Sequence, residues 1–388
     1  MNHQRTFSVQ IALLTGLRLV INISMRMVYP FLSVFARAFN ASLGSIGTAL
    51  TVRSFAGVVA PIVAPVADHF GTKIGMLAGA GLMSLALGLV VLFPGYPAFF
   101  ISLSLVFFGL FIYLPSIQSY ISDQIEYRKR GKILAITELS WALSFIIGMP
   151  LVALLIERYG WWSPYPILAF LSVLGLIGII TLIPNLPPQS HDKQHHLAVV
   201  GEMLHTPVVQ AALLMGMFFC LANESVVLVF GVWLEDSFGL MLTALGAASM
   251  LLGLAELSGE GLTAWLVDRL GKRFSVRLGL LLNCAFALLL PVIGRNVVGA
   301  LIGLFLYYIS FEFVVVSSLP LVTEVFPLRR ATLMGLYLAS FSLGRAFGDI
   351  LGPILYEHGF WFNVSVAAIC NGLAILALNQ IKLARDSE

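Results

Sequence analysis

Ten ionisable residues sit inside long apolar runs of this 388-residue chain: Arg18, Arg26, Arg53, Glu138, Glu224, Glu256, Glu260, Glu312, Arg345 and Asp349. Each is costly to bury in hydrocarbon, so each is a functional candidate with a partner to be found. The first half contributes mainly arginines and the second mainly carboxylates, which points to charge pairing between the halves. Two kinds of chemistry follow. A carboxyl held away from water can carry a proton, because desolvation and a nearby guanidinium pull its proton affinity in opposite directions. A guanidinium can clamp an anion. Counting along the runs, Arg26 and Glu224 fall at similar depth, as do Arg53 and Asp349. Arg345, four residues before Asp349, is an alternative partner for it on the same helix face.

The elements that must hold these residues are membrane helices. The chain is 59% apolar and 11% charged, and its mean hydropathy is +0.96. A soluble domain carries roughly 25% charged residues. A formal net charge of +3 argues against a nucleic-acid partner. A span needs about 20 apolar residues, and runs of that kind predict twelve spans: 8–37, 44–67, 74–93, 97–121, 132–155, 164–184, 208–233, 241–266, 274–294, 297–321, 331–355 and 360–382. The run starting at Phe7 is longer than a signal peptide's apolar core and reads as span 1. Segment 185–207, polar and rich in Pro and His, reads as a cytoplasmic linker between a six-helix bundle over 1–184 and a second over 208–388.

Lys and Arg placement sets orientation. With the N-terminus inside, fifteen basic residues face the cytoplasm, Lys73, Arg130, Arg269, Arg273 and Arg330 among them. Only Arg37, Arg158 and Arg295 face outward. Both termini are therefore expected in the cytoplasm of a multi-pass cell-membrane protein. The three cysteines, Cys220, Cys284 and Cys370, lie in apolar runs and read as packing residues. His191, His195 and His196 cluster in the linker and read as solvated. No metal site, no cofactor and no phosphate-cradling Gly-rich loop is expected, so ATP is not the expected energy source.

The halves repeat at an offset of 200 residues: Asp68 with Asp268, Gly71 with Gly271, Lys73 with Arg273, Arg130 with Arg330, Gly148 with Gly348, Glu157 with Glu357 and Trp161 with Trp361. Even numbers of spans per half make the copies parallel about an axis along the membrane normal. The loop between spans 2 and 3 has Asp68, Gly71 and Lys73, and that between spans 8 and 9 has Asp268, Arg269, Gly271, Lys272 and Arg273. These resemble the G-x-x-x-D-R-x-G-R-R/K loop of the major facilitator superfamily, with Ala64 and Ala264 in place of the first Gly. Gly71 and Gly271 permit tight turns. Asp68 can accept from exposed backbone N–H groups at a neighbouring helix start. The resemblance makes that neighbour span 11, near 331–333, and the contact an inner latch.

The same resemblance implies that spans 1, 4, 7 and 10 line a central cavity, with Arg26, Glu224 and Glu312 as leading residues. Asn22, Tyr113, Gln118 and Asn223 are their polar neighbours, and Arg18 is offered as a partner for Glu312. It also implies that spans 5 and 11 pack across the halves against spans 8 and 2. Ser140, Ser144 and Gly148, and Ser340, Gly344, Gly348 and Gly352, are four-residue stripes that let backbones approach in lipid. Pro150 and Pro353 kink those helices. Arg53 and Asp349 are read as an outer gate. Met25-Arg-Met-Val-Tyr-Pro30 in span 1 resembles the drug and sugar efflux branch, whereas Gly148-Met-Pro150 departs from that branch's Gly-Pro pair in span 5, and span 4 lacks an Arg many efflux members carry.

Three functions stay open. The first is proton-coupled, antiporter-type efflux of small organic or amphipathic compounds by alternating access. The second is transport of organic anions or anionic-headgroup lipids on Arg18, Arg26 and Arg53. The third, remote, is a polytopic enzyme or receptor. Expected partners are a small-molecule substrate, protons and membrane lipid, with the chain a monomer.

Overall fold

The computed structural model describes residues 2–63, 71–185, 196–326 and 329–381. Its elements are helices throughout, as lipid requires: hydrocarbon offers no partner for backbone N–H and C=O groups, so each segment must satisfy its own. Among the described residues, ten helices are long and apolar enough to cross a membrane. Span 2, Leu43–Val63, passes that test only together with Leu32–Ala38. Span 11, Arg330–Tyr356, is 27 residues long, but Arg345 and Asp349 lower its hydropathy. Leu85, Leu92, Phe170, Ile369 and Leu376 are exposed on the helix surfaces. In a soluble protein they would be a liability; here they are where lipid goes.

Two spans read as continuous are broken. Span 1 runs Asn2–Arg26, turns, and resumes as Leu32–Ala38, with Pro30 lacking the N–H that would continue the ladder. Span 7 runs Pro207–Val227 and resumes as Phe230–Phe238. There the Val229 N–H donates to Val226 O instead of Ser225 O. The freed Ser225 carbonyl accepts from Asn363 Nδ2 at 2.7 Å, so a span 12 side chain closes the break. The second segment of span 1 is anchored by rings: Phe35 on Phe99 and Phe39 on Trp161, with centroids 5.0 and 4.6 Å apart.

Span 5 is also irregular. It runs Tyr127–Leu143, passes through a π-turn at Ser144–Gly148, and continues as Met149–Tyr159. The Met149 N–H donates to Ser144 O, five residues back. Pro150 follows at once and cannot donate, which favours an insertion in the ladder just before it. The equivalent stretch of span 11 is continuous helix. The linker likewise holds more order than its polarity suggested: His196–Leu204 is helical, with Met203 buried. Of its three histidines, His191 and His195 lie outside the described residues.

The chain forms two compact units, one of Met1–Ala41, Val59–Asp192 and Leu242–Gly253, the other of Ser42–Val58, Lys193–Met241 and Leu254–Glu388. Each is thus one sequence half plus the starting segment of a span from the other. In the first unit, that segment of span 8 lies on span 5. Gly246 faces Met149 O, Pro150 and Ala153, and Gly253 faces Ala142 O and Phe145, so closely that a Cβ would collide. In the second, Gly47 of span 2 faces the Asp349 carbonyl and Pro353, and Thr51 Oγ1 donates to Ala346 O at 3.3 Å.

Candidate functional site

In the first unit, span 1 presents Arg18, Asn22 and Arg26 at four-residue intervals, hence on one face. That face meets span 5. Arg18 Nη2 is 2.5 Å from Glu138 Oε2 and its Nη1 donates to Thr137 Oγ1 at 3.4 Å. Asn22 Nδ2 donates to Ser140 Oγ at 3.2 Å. Arg26 Nη1 donates to Trp141 O at 2.8 Å and Ser144 Oγ at 3.2 Å, beside the π-turn. Its guanidinium carbon lies 3.6 Å from the Phe145 ring centroid and 4.1 Å from that of Trp141. Arg18, offered as a partner for Glu312, is therefore given Glu138: span 5 packs along the whole arginine face and supplies the nearer carboxylate. Phe145→Leu removes one face of the aromatic clamp and is expected to lower stability by about 0.5–2 kcal/mol in thermal unfolding of the purified protein.

The second unit gathers the acids. Asp349 is fully buried, and its Oδ2 accepts from Ser54 Oγ at 2.7 Å and lies 3.9 Å from Arg53 Nη2. Both partners come from the span 2 segment. Glu224 of span 7 is 2% exposed, and its Cβ and Cγ lie against Gly348, where no side chain could fit. Its carboxyl is within side-chain hydrogen-bonding reach of Asp349. Yet Glu224 Oε1 and Asp349 Oδ1 both lack a conventional donor. Burial without a donor is the costly state for a carboxyl oxygen.

The remaining candidates sit nearby or apart. Glu312 is buried with its stem against Gly259 of span 8. Cys220 is within electrostatic reach of Arg345, Glu224 and Glu312, which places all four in one part of the second unit. Asn223 is buried with Oδ1 unpartnered. Tyr113 is spent on structure, its hydroxyl donating to Leu14 O at 3.1 Å, as Tyr307 donates to Ala222 O at 2.9 Å in the other half. Gln118 is exposed. Sequence reasoning passed over Ser54, Tyr307 and the π-turn; only Pro150 signalled any of them.

At the loops, Gly71 has φ 91° and Gly271 φ 83°, a region L side chains rarely adopt. Lys73 Nζ donates to Ile180 O at 2.9 Å and Arg273 Nη2 to Asn379 O at 3.1 Å. Each basic residue so caps the last carbonyls of its half's sixth helix, where a cation also suits the helix dipole. Lys272 pairs with Glu324, and Asp268 is exposed. Asp68 lies outside the described residues. No group of three or more metal-ligating side chains occurs among the described residues.

The model of the Major Facilitator Superfamily matches residues 14–348 and, again, 212–386. The Bacillus subtilis (strain 168) MFS-type transporter YwfA is 22% identical over 89% of this chain and 85% of its own length. The chromaffin granule amine transporter of Rattus norvegicus is 24% identical over 80% of this chain and 61% of its own. A multi-drug resistance efflux pump PmrA homologue of Lactococcus lactis subsp. lactis (strain IL1403) is 28% identical over 42% of each chain. Among solved structures, the peptide transporter POT in complex with sulfate superposes with a TM-score of 0.76 at 15% identity, over 96% of this chain and 94% of that one. The nucleoside transporter NupG gives 0.73 at 17%, over 95% and 98%.

Proposed function

Because this chain belongs to the Major Facilitator Superfamily, a family of membrane transporters, we propose that it is a secondary active antiporter that exports small organic or amphipathic compounds in exchange for protons. The observation that carries this reading is Glu224, a buried carboxyl on span 7 with one oxygen short of a donor. Such a group needs a proton or a cationic ligand, and a site that takes either can exchange them. The efflux direction draws support from the partial likeness to the PmrA homologue, a multi-drug resistance efflux pump, and the cationic substrate class from the longer likeness to the amine transporter. In this reading the two halves, 1–184 and 208–388, work as a monomer with both termini cytoplasmic. Lys73, Gly71, Gly271 and Arg273 brace the inner loops, and Arg53 and Asp349 fasten the outer side.

The anion reading rests on Arg18, Arg26 and Arg53. Arg18 holds Glu138 and Arg53 lies by Asp349, each within its own unit. Two buried carboxyls, Glu224 and Asp349, each keep an oxygen without a donor, which favours a cation and a proton over an anion.

The test is accumulation of a fluorescent lipophilic cation in everted membrane vesicles energised by respiration. The protein is expected to add a component that collapses when an electroneutral proton exchanger dissipates the pH gradient. Glu224→Gln should reduce that component to the level of vesicles lacking the protein. Accumulation indifferent to the gradient, or unchanged in Glu224→Gln, would overturn the reading.

A further inference from the structure

Glu224 and Asp349 lie on different spans, yet their carboxyls reach each other. The approach is built into the backbone. Gly348 leaves room for the Glu224 stem beside the turn that carries Asp349, and a side chain at 348 would meet both that stem and Leu221 O. Asp349 uses one oxygen on Ser54 and Arg53, and its other oxygen has no donor. Neither has Glu224 Oε1. Ionised carboxylates only accept, so these two carboxyls cannot satisfy one another unless a proton lies between them. Two like charges at such range in a buried site do not both ionise.

We propose that Glu224 and Asp349 form a single proton-binding site that holds one proton between two carboxyls, with Arg53 as its counter-charge. The proposal rests on the proton-exchange reading for its use in transport, though not for its chemistry. Two carboxyls carrying one proton bear one negative charge, and the Arg53 guanidinium balances it. Ser54 of span 2 donates to Asp349 and Tyr307 of span 10 is within electrostatic reach of Glu224, while Glu312 of span 10 and Arg345, one turn from Asp349 on span 11, are within reach of Cys220, one turn before Glu224. When the proton leaves as free H⁺, two anions face one cation, and an arriving substrate cation restores the balance. The contact that fastens the span 2 segment to span 11 thus contains the proton site itself. Proton release then acts on Arg53 directly, with no longer path needed.

An apolar carbodiimide reacts with protonated buried carboxyls, and mass spectrometry of the purified full-length protein reads which ones. In the unaltered protein, label is expected on both Glu224 and Asp349 across the population, but on only one of them in any molecule. In Glu224→Gln, Asp349 loses its like-charged neighbour, keeps Arg53, and is expected to lose its label by about tenfold or more. Label confined to Glu224 with Asp349 untouched at every pH overturns the proposal, as does double labelling of single molecules. The distribution in the unaltered protein decides the question even if a variant fails to fold. The experiment needs no substrate: shared labelling without gradient-driven export would leave the site standing and remove the antiport reading, and the converse result would do the reverse.

Discussion

Arg53→Leu is expected to destabilise the purified protein by about 3–5 kcal/mol above neutral pH, the range for stripping one partner from a buried charge pair. Arg53 is 2% exposed and Asp349 fully buried. Without the guanidinium, Asp349 keeps only the Ser54 hydroxyl while Glu224 presses a second carboxyl against it. The double variant Arg53→Leu/Asp349→Leu should recover most of the loss, since removing both charges removes the penalty as well as the pair. A thermal double-mutant cycle measures this. A single-variant cost below about 1 kcal/mol would put the pair in the class of solvated surface bridges and sink the argument. Exchange of the two charges adds a second reading: Arg53→Asp/Asp349→Arg should recover stability relative to either single variant if the pair is an outer fastening, but not transport, because it removes the carboxyl that shares a proton with Glu224. If the exchange recovers no stability while Arg345→Gln alone costs as much as Asp349→Asn, Arg345 is the working partner and the fastening is misassigned.

Why the Arg53–Asp349 approach could be read from the chain, while the partners of Arg18 and Glu224 could not, is a matter of geometry. Counting 1.5 Å per residue along a span gives depth in the membrane. Depth alone brings Arg53 level with Asp349 and Arg26 level with Glu224. It says nothing of how each helix is rotated. Rotation turns Arg18, Asn22 and Arg26 onto span 5, where Glu138 and the Trp141 carbonyl take them up. Rotation of span 7, allowed by Gly348, sets Glu224 beside Asp349. The fold class was legible because apolar length and charge placement are one-dimensional signals. Turns at Gly71 and Gly271 were legible because only glycine tolerates their φ. The break in span 7 was hidden because its cause is tertiary: Asn363, far along the chain, accommodates the carbonyl that the break frees. The π-turn in span 5 left one trace, Pro150, which predicts a kink without saying which residues absorb the extra turn.

Gly344→Val is expected to cost about 3 kcal/mol or more, at or beyond the top of the usual overpacking range, and to cut the yield of monodisperse protein sharply. A Cβ at 344 would run into the Met217 carbonyl and then Cys220 Cβ. The first of these is helix backbone, which has no rotamer to change. Gly348→Ala adds a single methyl and should cost less than Gly344→Val, but that methyl would meet the Glu224 Cβ, which moves only with its backbone, and so should force the Glu224 carboxyl away from Asp349. Gly372 of span 12 has nothing within 4 Å of its missing Cβ, and Gly372→Ala should be neutral or slightly stabilising, since alanine is the better helix former. The contrast separates a close-packed interface from a general aversion to bulk in lipid. Thermal midpoints of the three variants, read by size-exclusion of heated samples, give the ranking. If Gly344→Val matches Gly372→Ala, spans 7 and 11 do not meet backbone to backbone, and the approach of Glu224 to Asp349, which depends on the same stripe one turn further on, loses its foundation. If the ranking holds, the stripe sets how closely span 11 lies on span 7, and so keeps the two carboxyls within reach of one proton.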